Sequence, residues 1–180
     1  MKMLKNNMKV LLLMLIASIT TAAQPIEKTA QYESTLPNYF PLNRESITRI
    51  SSLYGYRIHP ISGKIKKHRG IDFVAKKGSA IYASAKGKVI KAGYGKRYGN
   101  YIVLRHIGNT KTLYAHLLAK KVTQNEIVSK GQVIGVVGDS GMVTGPHLHY
   151  EIWINDKRVN PLLFWNRMRI NTKGVNLTSK

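Results

Sequence analysis

Two histidines one residue apart, His147 and His149, constrain the fold more than any other feature of the sequence. On a β-strand, residues i and i+2 project from the same face, so both imidazoles would point to one place. On a helix the same spacing would separate them. The stretch that follows, residues 150–159, contains Tyr, Ile, Trp and Ile, which are common in strands. We therefore predict that one strand carries both histidines.

A second pair of candidate metal ligands, His68 and Asp72, lies far upstream. If residues 68–72 form one strand, His68, Gly70 and Asp72 share a face, and the glycine leaves room for a close approach. Two imidazoles and one carboxylate make the three-ligand set of a catalytic zinc site, with a fourth position for water. One His-X-His pattern is a weak signal, but both pairs occur in a chain with only 6 His and 8 acidic residues. Together they predict one bound zinc ion.

The first 23 residues have the three parts of a signal peptide. Lysines at positions 2, 5 and 9 precede an apolar run at 10–17, and small residues follow at 20–23. We predict cleavage after Ala23. A retained anchor is the alternative, although the apolar run is short for a membrane span. The chain has no cysteine, which excludes a lipoprotein anchor, disulfides and thiolate zinc ligands.

The sequence is strongly basic. Its 29 Lys and Arg outnumber 8 Asp and Glu, and the formal net charge is +21 at pH 7. Such a charge favours a polyanionic partner, and for an exported protein we expect the anionic polymers of a cell wall or envelope. The basic residues are spread along the chain, so we expect no specific nucleic-acid partner. The alternative is a solvated surface that only keeps the protein soluble.

Most of the chain has the pattern of short strands separated by glycines. The clearest hairpin joins residues 101–106 to residues 112–116 through Gly108-Asn109. Only residues 122–127 and 161–168 have helical character, and both segments are short. We predict an all-β domain at 47–165, preceded by a linker or N-terminal arm at 24–46 and followed by a polar C-terminal tail at 166–180.

Three separated motifs resemble those of one known family. His68-Arg69-Gly70-Ile71-Asp72, Tyr114-Ala115-His116-Leu117 and Gly145-Pro146-His147-Leu148-His149 are similar to the HxxxD, YAHL-type and HxH motifs of the lysostaphin/LytM-like zinc endopeptidases. The three occur in the order found in that family. The resemblance extends over roughly residues 51–161.

The resemblance implies a compact antiparallel β-sheet domain of the LytM, or duplicated-hybrid-motif, type with a narrow active-site groove. It implies that His68, Asp72 and His149 hold one zinc ion, and that His116 and His147 flank the water and the scissile carbonyl. The implied substrates are the peptides of bacterial peptidoglycan, in the cross-bridge or the stem. The implied location is the periplasm, or the extracellular space and cell wall. We further expect a monomer with no transmembrane segment after signal cleavage.

Four other residues have both a functional and a structural interpretation. Arg57 would bind a substrate carboxylate or support a loop, and His59 would face the groove or only shape its loop. Glu151 lies on the same face as His149, where it would hold a ligand imidazole or form a surface ion pair. His106 ends a strand and is expected to be exposed or structural.

The favoured function is a secreted zinc endopeptidase of peptidoglycan. The first alternative is a non-catalytic LytM-like domain that binds the wall or activates another hydrolase. A degenerate domain of that kind is expected to lose metal ligands, and this chain retains all of them. The second alternative is a basic polyanion-binding protein in which the histidines are incidental.

Overall fold

The computed structural model describes residues 36–58 and 62–167, and in this part of the chain β-strands dominate. A 3-10 helix at Arg44–Ser46 precedes the first strand. The strands are β1 Ile47–Ser52, β2 Gly55–Ile58, β3 Ile65–His68, β4 Ile71–Ala75, β5 Ala80–Tyr82, β6 Gly87–Gly95, β7 Gly99–Arg105, β8 Thr110–Lys120, β9 Ile127–Val128, β10 Val133–Val137, β11 His147–Ile154 and β12 Lys157–Val159. One helix, α1, spans Pro161–Arg167. The all-β prediction is confirmed.

The central feature is an antiparallel sheet with the order β1-β4-β11-β8-β7-β6-β9. Strands β5, β10 and β12 join it at the side, whereas β2 and β3 form a separate two-stranded sheet. Strand β11 lies between β4 and β8, and His149 and Tyr150 have a paired residue in both of these strands. The main core includes Phe73, Ile102, Leu148 and Tyr150, all fully buried. The strand with the His-X-His pair is therefore an internal one.

The predicted hairpin is present as β7 and β8, with Gly108 and Asn109 at positive φ angles of 69° and 53°. Residues 161–167 are helical as predicted, but 122–127 are not. Asn125 has a φ of 74°, which an α-helix does not allow, and Glu126 accepts a hydrogen bond from the Thr123 amide. Ile127 then pairs with Lys88 of β6, so that segment is a turn that enters a strand.

The segment His68–Asp72 is not a single strand, and that part of the prediction is wrong. Strand β3 ends at His68, the chain turns at Arg69-Gly70, and β4 begins at Ile71. The reason is the pairing: β3 pairs only with β2, whereas β4 pairs with β1 and β11. His68 and Asp72 therefore belong to different sheets that meet at this turn.

Residues 36–46 pack against the domain. Leu42 is buried and forms a bridge with Ile81, and the Phe40 ring lies 5.1 Å from that of Phe73. The indole of Trp165 in α1 donates a hydrogen bond to the Pro37 carbonyl at 3.0 Å. The predicted signal peptide, and most of the predicted tail, lie outside the described residues. Among the described residues, no helix combines the length and apolar character needed to cross a membrane.

Candidate metal centre and groove

Three candidate ligand atoms converge at the junction of the two sheets. His68 Nε2 lies 3.1 Å from Asp72 Oδ1, and His149 Nδ1 lies 2.7 Å from the same oxygen. The two imidazole nitrogens are 3.1 Å apart. The register explains this closeness, since Asp72 and His149 are direct partners across β4 and β11. The side chains of all three are buried.

The tautomer of His68 is fixed by the loop after β1. Its Nδ1 lies 2.8 Å from the carbonyl oxygen of Leu53 and 3.2 Å from the hydroxyl of Ser52. Because a carbonyl only accepts, Nδ1 must carry the proton. Nε2 therefore has its lone pair directed toward Asp72 and His149, as a metal ligand requires.

The tautomer of His149 is set in the same way by Glu151. His149 Nε2 donates to Glu151 Oε1 at 3.1 Å, which leaves Nδ1 to face Asp72. Burial alone would lower the pKa of His149, but hydrogen bonds and charge from Asp72 and Glu151 outweigh it and raise the pKa to about 9. The same contacts with His149 and His68 outweigh burial at Asp72 and hold the pKa of its carboxyl well below the usual range. His149 and Asp72 therefore stabilise each other's charged forms.

Glu151 is fully buried and receives four hydrogen bonds. Oε1 accepts from the Tyr98 hydroxyl at 2.7 Å as well as from His149. Oε2 accepts from the Trp153 indole at 2.6 Å and from Arg158 Nε at 2.7 Å. Burial alone would raise the pKa of Glu151, but the donors around its carboxylate outweigh this effect and lower the pKa to about 2. The interpretation of Glu151 as a surface ion pair is therefore wrong, and its carboxylate is held in place beneath a ligand imidazole.

Gly70 makes the approach of the two sheets possible. A Cβ atom at this position would lie 2.8 Å from Cε1 and 3.0 Å from Nε2 of His149, and would also meet the carbonyl oxygen of Tyr150. Such contacts are too short for any side chain, so only glycine fits here. The prediction that this glycine permits close approach is correct, although it acts at a turn and not within a strand.

Two further histidines lie beside the converging atoms. The rings of His116 and His147 are 4.7 Å apart, and His147 Nε2 lies 3.9 Å from Asp72 Oδ1. The Nδ1 atoms donate to the carbonyls of Ser140 and Gly145, each at 2.9 Å, which leaves both Nε2 atoms unprotonated in the neutral rings. Burial, followed by the nearby His147 and His149, lowers the pKa of His116 to about 3. His116 is therefore neutral at physiological pH and presents Nε2 as a hydrogen-bond acceptor.

The donor set fits zinc. Ligand atoms about 2.0 Å from a tetrahedral zinc ion are about 3.3 Å from one another, close to the 2.7–3.1 Å separations found here. Two imidazole lone pairs and a carboxylate, each with its other polar atoms oriented by the protein, suit a borderline-soft divalent ion.

The convergence point lies in a groove of about 780 Å³. One side is formed by β1 and the β2–β3 hairpin, and the other by the turn at Arg97-Tyr98 and the segment 142–146. Arg57 lines the groove, with its NH2 group 3.6 Å from Asp72 Oδ2. His59 lies outside the described residues. The fold thus brings together every other residue that the sequence predicted for the site.

Of the two interpretations of His106, exposed or structural, the structure favours the structural one: the residue is buried, with hydrogen bonds to the Lys86 carbonyl and to Thr112. Two residues near the site had no sequence signal. Tyr98 was missed: it stacks on His149 with a ring separation of 5.8 Å, and it is 53 residues from Glu151 in sequence. Arg158 was also missed, although its position in a hairpin with β11 brings it opposite Trp153.

Residues 66–161 match the family model described as Peptidase family M23. That match extends over more than half of the chain and contains the four clustered histidines and the carboxylate: His68, Asp72, His116, His147 and His149. The chain belongs to peptidase family M23. The resemblance to lysostaphin/LytM-like peptidases is thereby confirmed.

Proteins from two bacteria are similar to this chain in sequence and in structure. The chain is 46% identical over 114 residues to peptidoglycan DD-endopeptidase ShyC of Vibrio cholerae, covering 63% of this chain and 26% of that protein. A crystal structure of a zinc-containing peptidase from Vibrio cholerae matches with a TM-score of 0.61 and 35% identity, covering 68% of this chain and 38% of that one. The catalytic domain of lysostaphin from Staphylococcus simulans matches with a TM-score of 0.60 and 31% identity, covering 66% of this chain and 92% of that one. The chain spans about a quarter of the length of the curated relatives it matches.

Proposed function

We propose that this M23 chain is an exported zinc endopeptidase that hydrolyses peptide bonds of bacterial peptidoglycan. The observation that carries the proposal is the convergence of His68 Nε2, Asp72 Oδ1 and His149 Nδ1 within 3.1 Å of one another, at the base of a groove. The relatives support the substrate, since one is named a peptidoglycan DD-endopeptidase. A non-catalytic role is not favoured, because the ligand set and both neighbouring histidines are intact.

In this proposal His68, Asp72 and His149 hold the metal. Bound zinc would supply Lewis-acid chemistry and lower the pKa of water from about 15.7 to roughly 7. The protein fixes the direction of both imidazole lone pairs through the Leu53 carbonyl and through Glu151. These partners keep the ligand atoms oriented before metal binds, which reduces the cost of reorganisation.

His116 and His147 carry the proton transfers. Each holds its Nδ1 proton on a backbone carbonyl, so each presents Nε2 as a base. A neutral imidazole with an unprotonated Nε2 accepts a proton from water and, once charged, donates it to a leaving amine or an oxyanion. The two rings are adjacent, so that one serves as proton acceptor at Nε2, while the other, once protonated at Nε2, donates a hydrogen bond to the developing negative charge.

The proposed location follows from the substrate. Peptidoglycan lies outside the cytoplasmic membrane, so we propose that the predicted signal peptide at 1–23 directs export to the periplasm or to the cell wall. The positive charge of the chain supports attraction to anionic wall polymers. We propose that the protein acts there as a monomer.

Digestion of purified peptidoglycan tests the proposal. The zinc-loaded protein is expected to convert cross-linked muropeptides to uncrosslinked ones, and mass spectrometry identifies the bond. Asp72→Ala is expected to lose zinc together with activity. His116→Ala is expected to retain zinc but to lose roughly 100-fold or more in rate. Full activity of purified His116→Ala, or an unchanged muropeptide profile with the zinc-loaded native chain, would contradict the proposal.

A further inference from the structure

The groove is strongly cationic. Six basic side chains line it: Arg49, Arg57, Lys66, Lys67, Arg69 and Arg97. The acidic side chains that line it are Asp72 and Glu151. Asp72 is directed at the candidate metal centre, and Glu151 is neutralised by Arg158 and three further donors. Neither carboxylate therefore balances the positive charge that faces a bound peptide.

The positive charges flank the metal centre on both sides. Arg57 and Lys66 are direct partners across β2 and β3, so they share the face of the hairpin that borders the groove. Arg97 lies in the turn between β6 and β7, which are on the opposite side of β11 from β4 in the sheet order, and β4 directly follows the β2–β3 hairpin in the chain. A peptide that places one bond at the metal centre would have cationic side chains near the residues before and after that bond.

The ion pairs of the described residues do not neutralise the positive charge of the groove. Of the six groove cations, Arg57 alone has an acidic partner in the part of the chain that the structure describes, at 3.6 Å from Asp72. Within the same residues its Nε is buried and has no hydrogen-bond acceptor. A buried guanidinium N–H without an acceptor is unfavourable, and a ligand carboxylate is the group that an arginine binds best.

We propose that this groove selects peptides that carry free carboxylates on both sides of the scissile bond, and discriminates against the same peptides with those carboxylates amidated. This inference rests on the proposed endopeptidase function and specifies its substrate. Lys66 and Arg97 are specificity-determining residues, one on each side of the metal centre. Arg57 contributes as well, but it also contacts Asp72, so its substitution would disturb the metal site.

The test uses two synthetic cross-linked stem-peptide dimers that differ only in whether the carboxylates flanking the scissile bond are free or amidated. The native zinc-loaded chain is expected to cleave the free acid with a kcat/KM higher by roughly tenfold, because two ion pairs in a partly solvated groove, each contributing up to about fivefold, together give about that factor. In Lys66→Gln/Arg97→Gln, the preference is expected to fall to about threefold or less, mainly through a higher KM for the acid.

The matched control is Lys88→Gln/Lys130→Gln, which removes the same two charges from exposed positions outside the groove. It is expected to retain the native preference. If both double variants lose the preference equally, the effect comes from net charge and the inference is overturned. Equal cleavage of both dimers by the native chain also overturns it, while leaving the endopeptidase function intact. Cleavage of neither dimer overturns both.

Discussion

At the scale of single residues, Glu151 is the side chain whose role the structure defines most sharply. It is fully buried, and its four hydrogen bonds fix it beneath His149. We predict that Glu151→Gln lowers zinc affinity by about 10–100-fold, since an amide can present its NH2 group to His149 Nε2 and so disturb the tautomer. Competition with a chromogenic chelator measures the affinity, and nitrogen NMR shifts of His149 report the tautomer.

An unchanged affinity together with a normal His149 tautomer would show that Glu151 acts only in folding. Tyr98→Phe is a milder companion variant. It removes one donor at 2.7 Å from Glu151 and leaves the other three. We expect its zinc affinity to lie between that of the native chain and that of Glu151→Gln.

The sequence predicted which residues converge at the site more accurately than it predicted their surroundings. The spacing of His147 and His149 requires a strand for both to share a face, and that inference depends on neighbours alone. The break at Arg69-Gly70 depends on which strands pair with β3 and β4, which the local pattern does not encode. Tyr98 reaches Glu151 from 53 residues away, so no local spacing could reveal it.

At the scale of elements, the contact between the β3–β4 turn and β11 depends on Gly70. We predict that Gly70→Ala lowers the free energy of unfolding by about 1–3 kcal/mol, because the new methyl group would overlap the ring of His149 and the Tyr150 carbonyl. Denaturant unfolding measures the change, and zinc affinity should fall with it. Gly145→Ala is the control: a Cβ there meets no atom within 4 Å, so its unfolding free energy should change by less than about 0.5 kcal/mol.

A buried histidine, His106, directly follows β7, and its titration should change the free energy of unfolding. Burial lowers the pKa of His106 below its ordinary value of 6.5, and the Lys86 carbonyl only partly opposes this. Because the folded-state pKa is depressed, the contribution of neutral His106 is complete above about pH 6.5 and is lost as the pH falls toward the folded-state pKa. We predict that protonation of His106 lowers the free energy of unfolding by up to about 1.4 kcal/mol for each pH unit below about pH 6.5.

Comparison with His106→Gln isolates the effect. The remaining titratable groups are common to both proteins, so the difference between their stability curves across pH 7.5 to 5 reports His106. Parallel curves would contradict the prediction. His106 does not line the groove, so zinc affinity serves as an independent check on the integrity of the variant.

At the scale of the whole molecule, the positive charge should govern encounters with the wall: the formal net charge is +21, and +18 after removal of Lys2, Lys5 and Lys9 with the predicted signal peptide (26 Lys and Arg minus 8 Asp and Glu). We predict that adsorption to walls rich in anionic polymers weakens at least tenfold between 50 and 200 mM salt. Binding releases counterions from the polymers, and this release becomes less favourable as the salt concentration rises. Cosedimentation with purified walls, with and without their anionic polymers, measures it. Adsorption that is independent of salt would show that contacts other than charge dominate.

The separation of His68 from Asp72 and His149 has a consequence for the molecule as a whole. His68 is on a two-stranded ribbon, and such ribbons are marginally stable alone in water. The other two ligands are on the large sheet, so a zinc ion held by all three would link the two-stranded sheet to the large sheet. In a chain without cysteine, the catalytic ion would thus also serve as the cross-link that a secreted protein commonly obtains from a disulfide.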